Sequence, residues 1–92
     1  MQILLIEDNL TIIKGLTYTL KQNNYEVYAC KNLLEAISYL KDNPKINLII
    51  LDVTLPDGNG FTFFTDNLKT LNIPTIFLTA KDEEDDIVRG LE

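Results

Sequence analysis

Glu7, Asp8, Asp52 and Thr79 stand where chemistry could be done, each directly after a short apolar run. Glu7-Asp8 closes Gln2-Ile3-Leu4-Leu5-Ile6, Asp52 closes Ile46-Asn47-Leu48-Ile49-Ile50-Leu51, and Thr79 closes Thr75-Ile76-Phe77-Leu78. Three carboxylates brought to one rim of a sheet would repel one another. Two unit charges about 4 Å apart cost roughly 4 kcal/mol at an effective dielectric near 20. A fold tolerates such a cluster by protonating one member or by neutralising it with a cation. An all-oxygen donor set without His or Cys selects a hard ion, Mg²⁺ first, which takes one or two carboxylates and keeps several waters. Beside such an ion a strand-terminal Asp can attack phosphorus and form an aspartyl phosphate. Asp52, with a neighbouring strand on each side, is the best placed of the three, and the Thr79 hydroxyl could reach a phosphoryl oxygen. Spacing alone also permits the plainer alternative that the carboxylates merely end buried strands and that Thr79 is a β-branched strand residue.

The elements that must deliver these groups follow from hydrophobic patterning. The continuous runs 2–6 and 46–51 suit strands buried on both faces, the habit of parallel sheets covered by helices. Residues 25–30 alternate instead and read as a half-exposed edge strand. Asn9 can cap a helix over 10–22 with Ile12, Ile13, Leu16 and Leu20 on one side, weakened slightly by Gly15. Asn32 with Glu35 resembles a capping box opening a helix through Lys41, with Leu33, Ala36, Ile37 and Leu40 inward. Residues 53–60 are a loop dense in turn formers. A helix then carries Phe61, Phe64, Leu68 and Leu71 into the core, and a further helix begins in 82–92 with Ile87, Val88 and Leu91 on one side. Strand–helix alternation four times over predicts an α/β, doubly wound parallel sheet, and the edge-like second strand favours the order 2-1-3-4. In that order ligands sit at the carboxyl ends flanking strands 1 and 3, where Glu7, Asp8 and Asp52 lie.

Composition narrows the function classes. The 92 residues carry 14 acidic and 8 basic side chains, a net charge of −6, which opposes direct contact with nucleic acid or anionic lipid. Histidine is absent, which excludes His-based catalysis and His metal ligands, and the single Cys30, read as an inert strand residue, excludes an internal disulfide. No apolar run approaches the roughly 20 residues of a membrane span. A cytoplasmic location is expected.

Ile6-Glu7-Asp8-Asn9, the stretch Ile50-Leu51-Asp52-Val53-Thr54-Leu55-Pro56-Asp57-Gly58-Asn59-Gly60-Phe61, and Pro74-Thr75-Ile76-Phe77-Leu78-Thr79-Ala80-Lys81 together resemble the receiver domain of bacterial response regulators. The wording is most similar to the subfamily whose receivers precede a winged-helix DNA-binding domain. The fold implied is flavodoxin-like. The resemblance implies that Asp52 accepts a phosphoryl group from a sensor histidine kinase. It further implies a Mg²⁺ site built from Asp8, Asp52, the backbone carbonyl of Thr54 and, through water, Glu7. Thr79 would be the switch hydroxyl, Thr54 would help set the rate at which the phosphoryl group hydrolyses, and Pro56 and Gly60 would be structural turn formers. The output would be transcriptional, with no enzymatic turnover beyond slow autodephosphorylation.

Family receivers run to roughly 120 residues, so residues 1–92 correspond to one receiver domain lacking its C-terminal strand 5, helix 5 and Lys-Pro pair. The fourth strand is then expected at an open apolar edge, which favours a homodimer with possible element swapping. A degenerate receiver acting only as a dimerisation module is the alternative function. The acidic run 82–86 reads as a solvated helix start, or else as a recognition surface. A flavodoxin-type cofactor binder would need a Ser/Thr/Gly-rich loop in place of Glu7-Asp8-Asn9-Leu10. A haloacid-dehalogenase-type phosphatase would need an acid at position 54, where Thr54 stands.

Overall fold

A computed structural model of the chain describes residues 1–43 and 45–78 and the backbone of residues 88–89. Its centre is the pair β1 (Gln2–Ile6) and β3 (Leu48–Asp52), whose uninterrupted aliphatic runs are buried from both sides. Alternate residues of β1 face opposite layers. Leu4 and Ile6 join Ala36, Ile49, Leu51, Phe63, Leu68 and Phe77 in the larger core, while Ile3 and Leu5 join Ile50 in the smaller one. Ile13, Leu16 and Leu20 of α1 (Leu10–Gln22) cover the smaller core, and α2 (Leu33–Asp42) lies on the opposite face.

β2 (Glu26–Cys30) pairs parallel with β1 at the sheet edge, its side chains alternating in exposure as expected of an edge strand. β6 (Thr75–Leu78) pairs parallel with the other side of β3. The parallel order is therefore β2-β1-β3-β6, the doubly wound arrangement 2-1-3-4. Among the described residues no helix is long and apolar enough to cross a membrane.

Asn9 caps α1 by accepting from the N–H groups of Thr11 and Ile12 at 2.9 and 3.1 Å. Asn32 accepts from Glu35 N–H at 2.8 Å. The reciprocal bond of the capping box is shifted by one residue, since Glu35 Oε1 accepts from Lys31 N–H at 3.1 Å.

Three segments depart from the sequence reading. The loop after β3 contains a small antiparallel hairpin, β4 (Thr54–Leu55) and β5 (Gly58–Asn59), turning over Pro56-Asp57. The helix expected to bury Phe61, Phe64, Leu68 and Leu71 is not one continuous α-helix. A single α-turn, α3 (Gly60–Phe63), passes into a π-helical turn over Phe64–Leu68 and a 3₁₀ turn over Lys69–Leu71. Phe63 and Leu68 are buried, Phe61 and Phe64 pack partly buried against the larger core beside Phe77 as expected, and Leu71 is 46% exposed. A π-turn is marked by an i→i+5 hydrogen bond. The Lys69 N–H accordingly bonds the Phe64 carbonyl. Asn72, in the left-handed region at φ 58°, ends the segment.

Third, residues 88–89, expected within a helix, form a short strand β7 (Val88–Arg89) antiparallel to β6, pairing Phe77 with Arg89 and Leu78 with Val88. The sheet is thus five-stranded with an antiparallel edge, and β6 is not left fully open. An unpaired strand edge offers N–H and C=O groups that a nearby chain segment can satisfy. The remainder of the expected 82–92 helix, with its acidic run 82–86, lies outside the described residues.

Candidate functional site

Strand register brings the carboxylates together. Ile6 pairs with Cys30 on one side and Leu51 on the other, so Glu7 leaves β1 level with Asp52, the last residue of β3. The Glu7 N–H is held by the Cys30 carbonyl at 2.9 Å, and the Val53 N–H by the Leu78 carbonyl at 2.9 Å. Glu7 and Asp52 are buried, 2% and 3% exposed, whereas Asp8 is exposed. One carboxylate oxygen from each of Glu7, Asp8 and Asp52 lies within 4.8 Å of the others.

Local backbone donors only partly compensate this charge. Asn9 N–H donates to Glu7 Oε2 at 3.1 Å and Thr54 N–H to Asp52 Oδ1 at 3.3 Å. Burial is the larger effect and pushes Glu7 up to about 7, with the charges of Asp52 and Asp8 acting in the same direction against the Asn9 hydrogen bond. Asp52 is also raised, chiefly by burial, and is held down by the Thr54 N–H and by a hydrogen bond from Glu7. Burial thus biases both acids toward their protonated forms. Among the described residues no basic side chain contributes to either shift. An all-oxygen cluster that carries surplus negative charge and offers three convergent donors fits a hard divalent cation.

The hairpin and α3 fix the far side of the site. Gly60 N–H donates to the Val53 carbonyl at 2.7 Å. A Cβ on Gly60 would collide with the Asp52 carbonyl oxygen, so the glycine permits close backbone approach and is not a simple turn former. Asn59 caps α3 by accepting from Phe61 and Thr62 N–H at 2.8 and 3.1 Å. Thr79, the expected switch hydroxyl, lies outside the described residues.

Asp57 has a role that the sequence did not disclose. Its carboxylate reaches the start of α2, where Oδ1 accepts from Leu33 N–H at 2.9 Å and Oδ2 from Leu34 N–H at 3.1 Å. These bonds hold Asp57 below the usual carboxylate range, the Leu33 N–H contributing most. The partners are 24 and 23 residues away, so no local spacing rule signals them.

Residues 3–92 match the family described as the response regulator receiver domain. The chain belongs to this family. The receiver is 38% identical over 95 residues to the phosphate regulon transcriptional regulatory protein PhoB of Escherichia coli, covering 99% of this chain and 41% of that protein. It is 34% identical over 91 residues to a homologue of the transcriptional regulatory protein CpxR in Haemophilus influenzae, covering 99% of this chain and 39% of that one. Among solved structures, the non-phosphorylated HemR receiver domain of Leptospira biflexa superposes with a TM-score of 0.78 at 35% identity, covering 92% of this chain and 68% of that one. The receiver thus spans about two fifths of the length of the curated relatives it matches. The parallel order β2-β1-β3-β6 and the acidic cluster at its switch point are the framework expected for this family.

Proposed function

We propose that this receiver is the phosphoryl-accepting switch of a two-component response regulator, with Asp52 as the acceptor. The observation that carries the reading is the position of Asp52. It ends the central strand with its carboxylate in a three-acid cluster and only weak backbone support. Glu7, Asp8, Asp52 and the Thr54 backbone carbonyl would hold Mg²⁺. When bound, the ion neutralises phosphoryl oxygens that the acidic rim would otherwise repel. An Asp52 carboxylate oxygen attacks phosphorus, the new O–P bond forms, and the P–N bond to the imidazole of a sensor histidine kinase breaks. The leaving imidazole takes its proton from solvent. Close approach of Gly60 to the Asp52 carbonyl and the Val53–Leu78 backbone bond keep the strand end from drifting during attack.

Thr79 is proposed as the hydroxyl that engages the phosphoryl group and passes the change outward. Thr54 at the second position after Asp52 supplies no carboxyl, which favours acceptance followed by slow loss of the phosphoryl group over enzymatic turnover. Residues 1–92 are read as a single receiver domain that represents part of a longer one, in keeping with the 68% coverage of the HemR receiver. The names of the PhoB and CpxR relatives support a transcriptional output. A cytoplasmic location is proposed with it, and the net charge of −6 opposes nucleic-acid contact through this domain. A homodimer remains part of the proposal.

The test is intact-mass spectrometry after incubation with Mg²⁺ and acetyl phosphate. One phosphoryl adduct is expected, absent with EDTA and absent in Asp52→Asn. An adduct that persists in Asp52→Asn would refute the assignment of the acceptor, and no adduct on the wild type would refute acceptance by this chain.

A further inference from the structure

The geometry points to Asp57 as a positioning residue for the metal site: it closes a ring of bonds that runs from Glu7 to Asp52 around the α2 side of the cluster. The inference rests on the functional reading above and deepens it. The ring starts at Glu7, whose N–H is fastened to the Cys30 carbonyl at the end of β2. The chain continues through Lys31 and Asn32 into the first turn of α2. There the Leu33 and Leu34 N–H groups are taken by the two oxygens of Asp57 at 2.9 and 3.1 Å. From Asp57 the hairpin leads back through Leu55 to Thr54, whose N–H donates to Asp52 Oδ1 and whose carbonyl is the proposed backbone ligand.

The same junction is closed sterically. Gly58, at φ +157°, lies so near Leu33 that a Cβ would meet Leu33 Cδ1 at 2.8 Å. The hairpin therefore sits flush on α2 and is held there by an ionised carboxylate across two backbone donors, a charge-assisted bond pair. Asn32 serves a different donor, Glu35 N–H, on the same helix end. Removing Asn32 frays the helix start without detaching the hairpin, whereas removing Asp57 detaches the hairpin and frees Thr54. Outer-shell supports of this kind govern ligand placement and hence metal affinity.

Calorimetric titration of the chain with Mg²⁺ compares wild type, Asp57→Ala, Asp57→Asn and Asn32→Ala. Metal-free amide exchange is read over residues 54–59 in the same four proteins. Asp57→Ala is expected to weaken Mg²⁺ binding by about tenfold, the lower end of what loss of an outer-shell support costs. Asp57→Asn, which keeps one acceptor oxygen, falls between, and Asn32→Ala keeps wild-type affinity. Exchange over 54–59 speeds up only in the Asp57 variants. Should Asp57→Ala fail to fold, Asp57→Asn carries the comparison. Wild-type affinity in the Asp57 variants, or an equal loss in Asn32→Ala, overturns this inference alone. A wild-type chain that takes up no Mg²⁺ overturns the functional reading and this inference together.

Discussion

Replacing Glu7 by Gln is expected to stabilise the metal-free receiver above neutral pH and to leave it unchanged in mild acid. In the folded chain Glu7 titrates at about 7 against an ordinary value of 4.5, mainly because burial disfavours its ionised form. Between those values the native state holds a proton that the unfolded chain has released. Stability is therefore full below about 4.5 and is lost as pH rises through about 7. The interval corresponds to about 3 kcal/mol at most. Solvent at the exposed Asp8 side screens the site, which brings the expected loss to about 1–2 kcal/mol. Asp52 is raised for the same reason and adds in the same direction, while Asp57, lowered by its helix-capping bonds, acts only at more acid pH. Gln at position 7 is neutral at every pH, can donate an amide N–H to Asp52, and can accept from Asn9. Urea unfolding in EDTA-containing buffer at pH 5 and pH 8 measures the effect. Wild type should lose about 1–2 kcal/mol between the two, and Glu7→Gln markedly less. Mg²⁺ at pH 8 should restore wild-type stability, by about 1.4 kcal/mol at tenfold excess over its Kd. Parallel pH profiles for the two proteins, or wild-type stability rising with pH, would refute the argument.

Gly60→Ala forces a Cβ into the Asp52 backbone and should cost roughly 1–3 kcal/mol in urea unfolding, with poorer metal binding. Gly15→Ala, in open space within α1, should instead stabilise by about 0.5–1 kcal/mol in the same assay. Asn9→Ala removes the acceptor for Thr11 and Ile12 N–H and should lower stability by about 1 kcal/mol, read from the shift in urea midpoint at unchanged slope.

Most of the framework was legible because its signals are local. Buried runs ending in acids, Asn9 and Asn32 as caps, and the alternating edge strand each depend on neighbours within a turn or two of chain. In the segment after Gly60 the core-facing Phe61, Phe64 and Leu68 were legible, but the exposure of Leu71, the burial of Phe63 and the π-turn were not, since the pattern of Phe and Leu admits a 3.6 repeat. The strand at Val88–Arg89 escaped the same way, since edge pairing with β6 overrides an apolar spacing that reads as helical.

For the site, the sequence by itself marked Glu7, Asp8 and Asp52 as acids that close buried strand runs. Acids gathered at one strand rim repel one another, and a metal or a proton relieves that repulsion whatever the details of packing. Only the tertiary structure decided how they share that charge. The register that sets Glu7 level with Asp52 buries the two together and raises both. The docking of the hairpin on α2 turns Asp57, one more turn-forming residue by its sequence, into a cap for a helix 24 residues upstream. Charge and propensity are properties of single residues and short windows, whereas distance and burial belong to the folded chain.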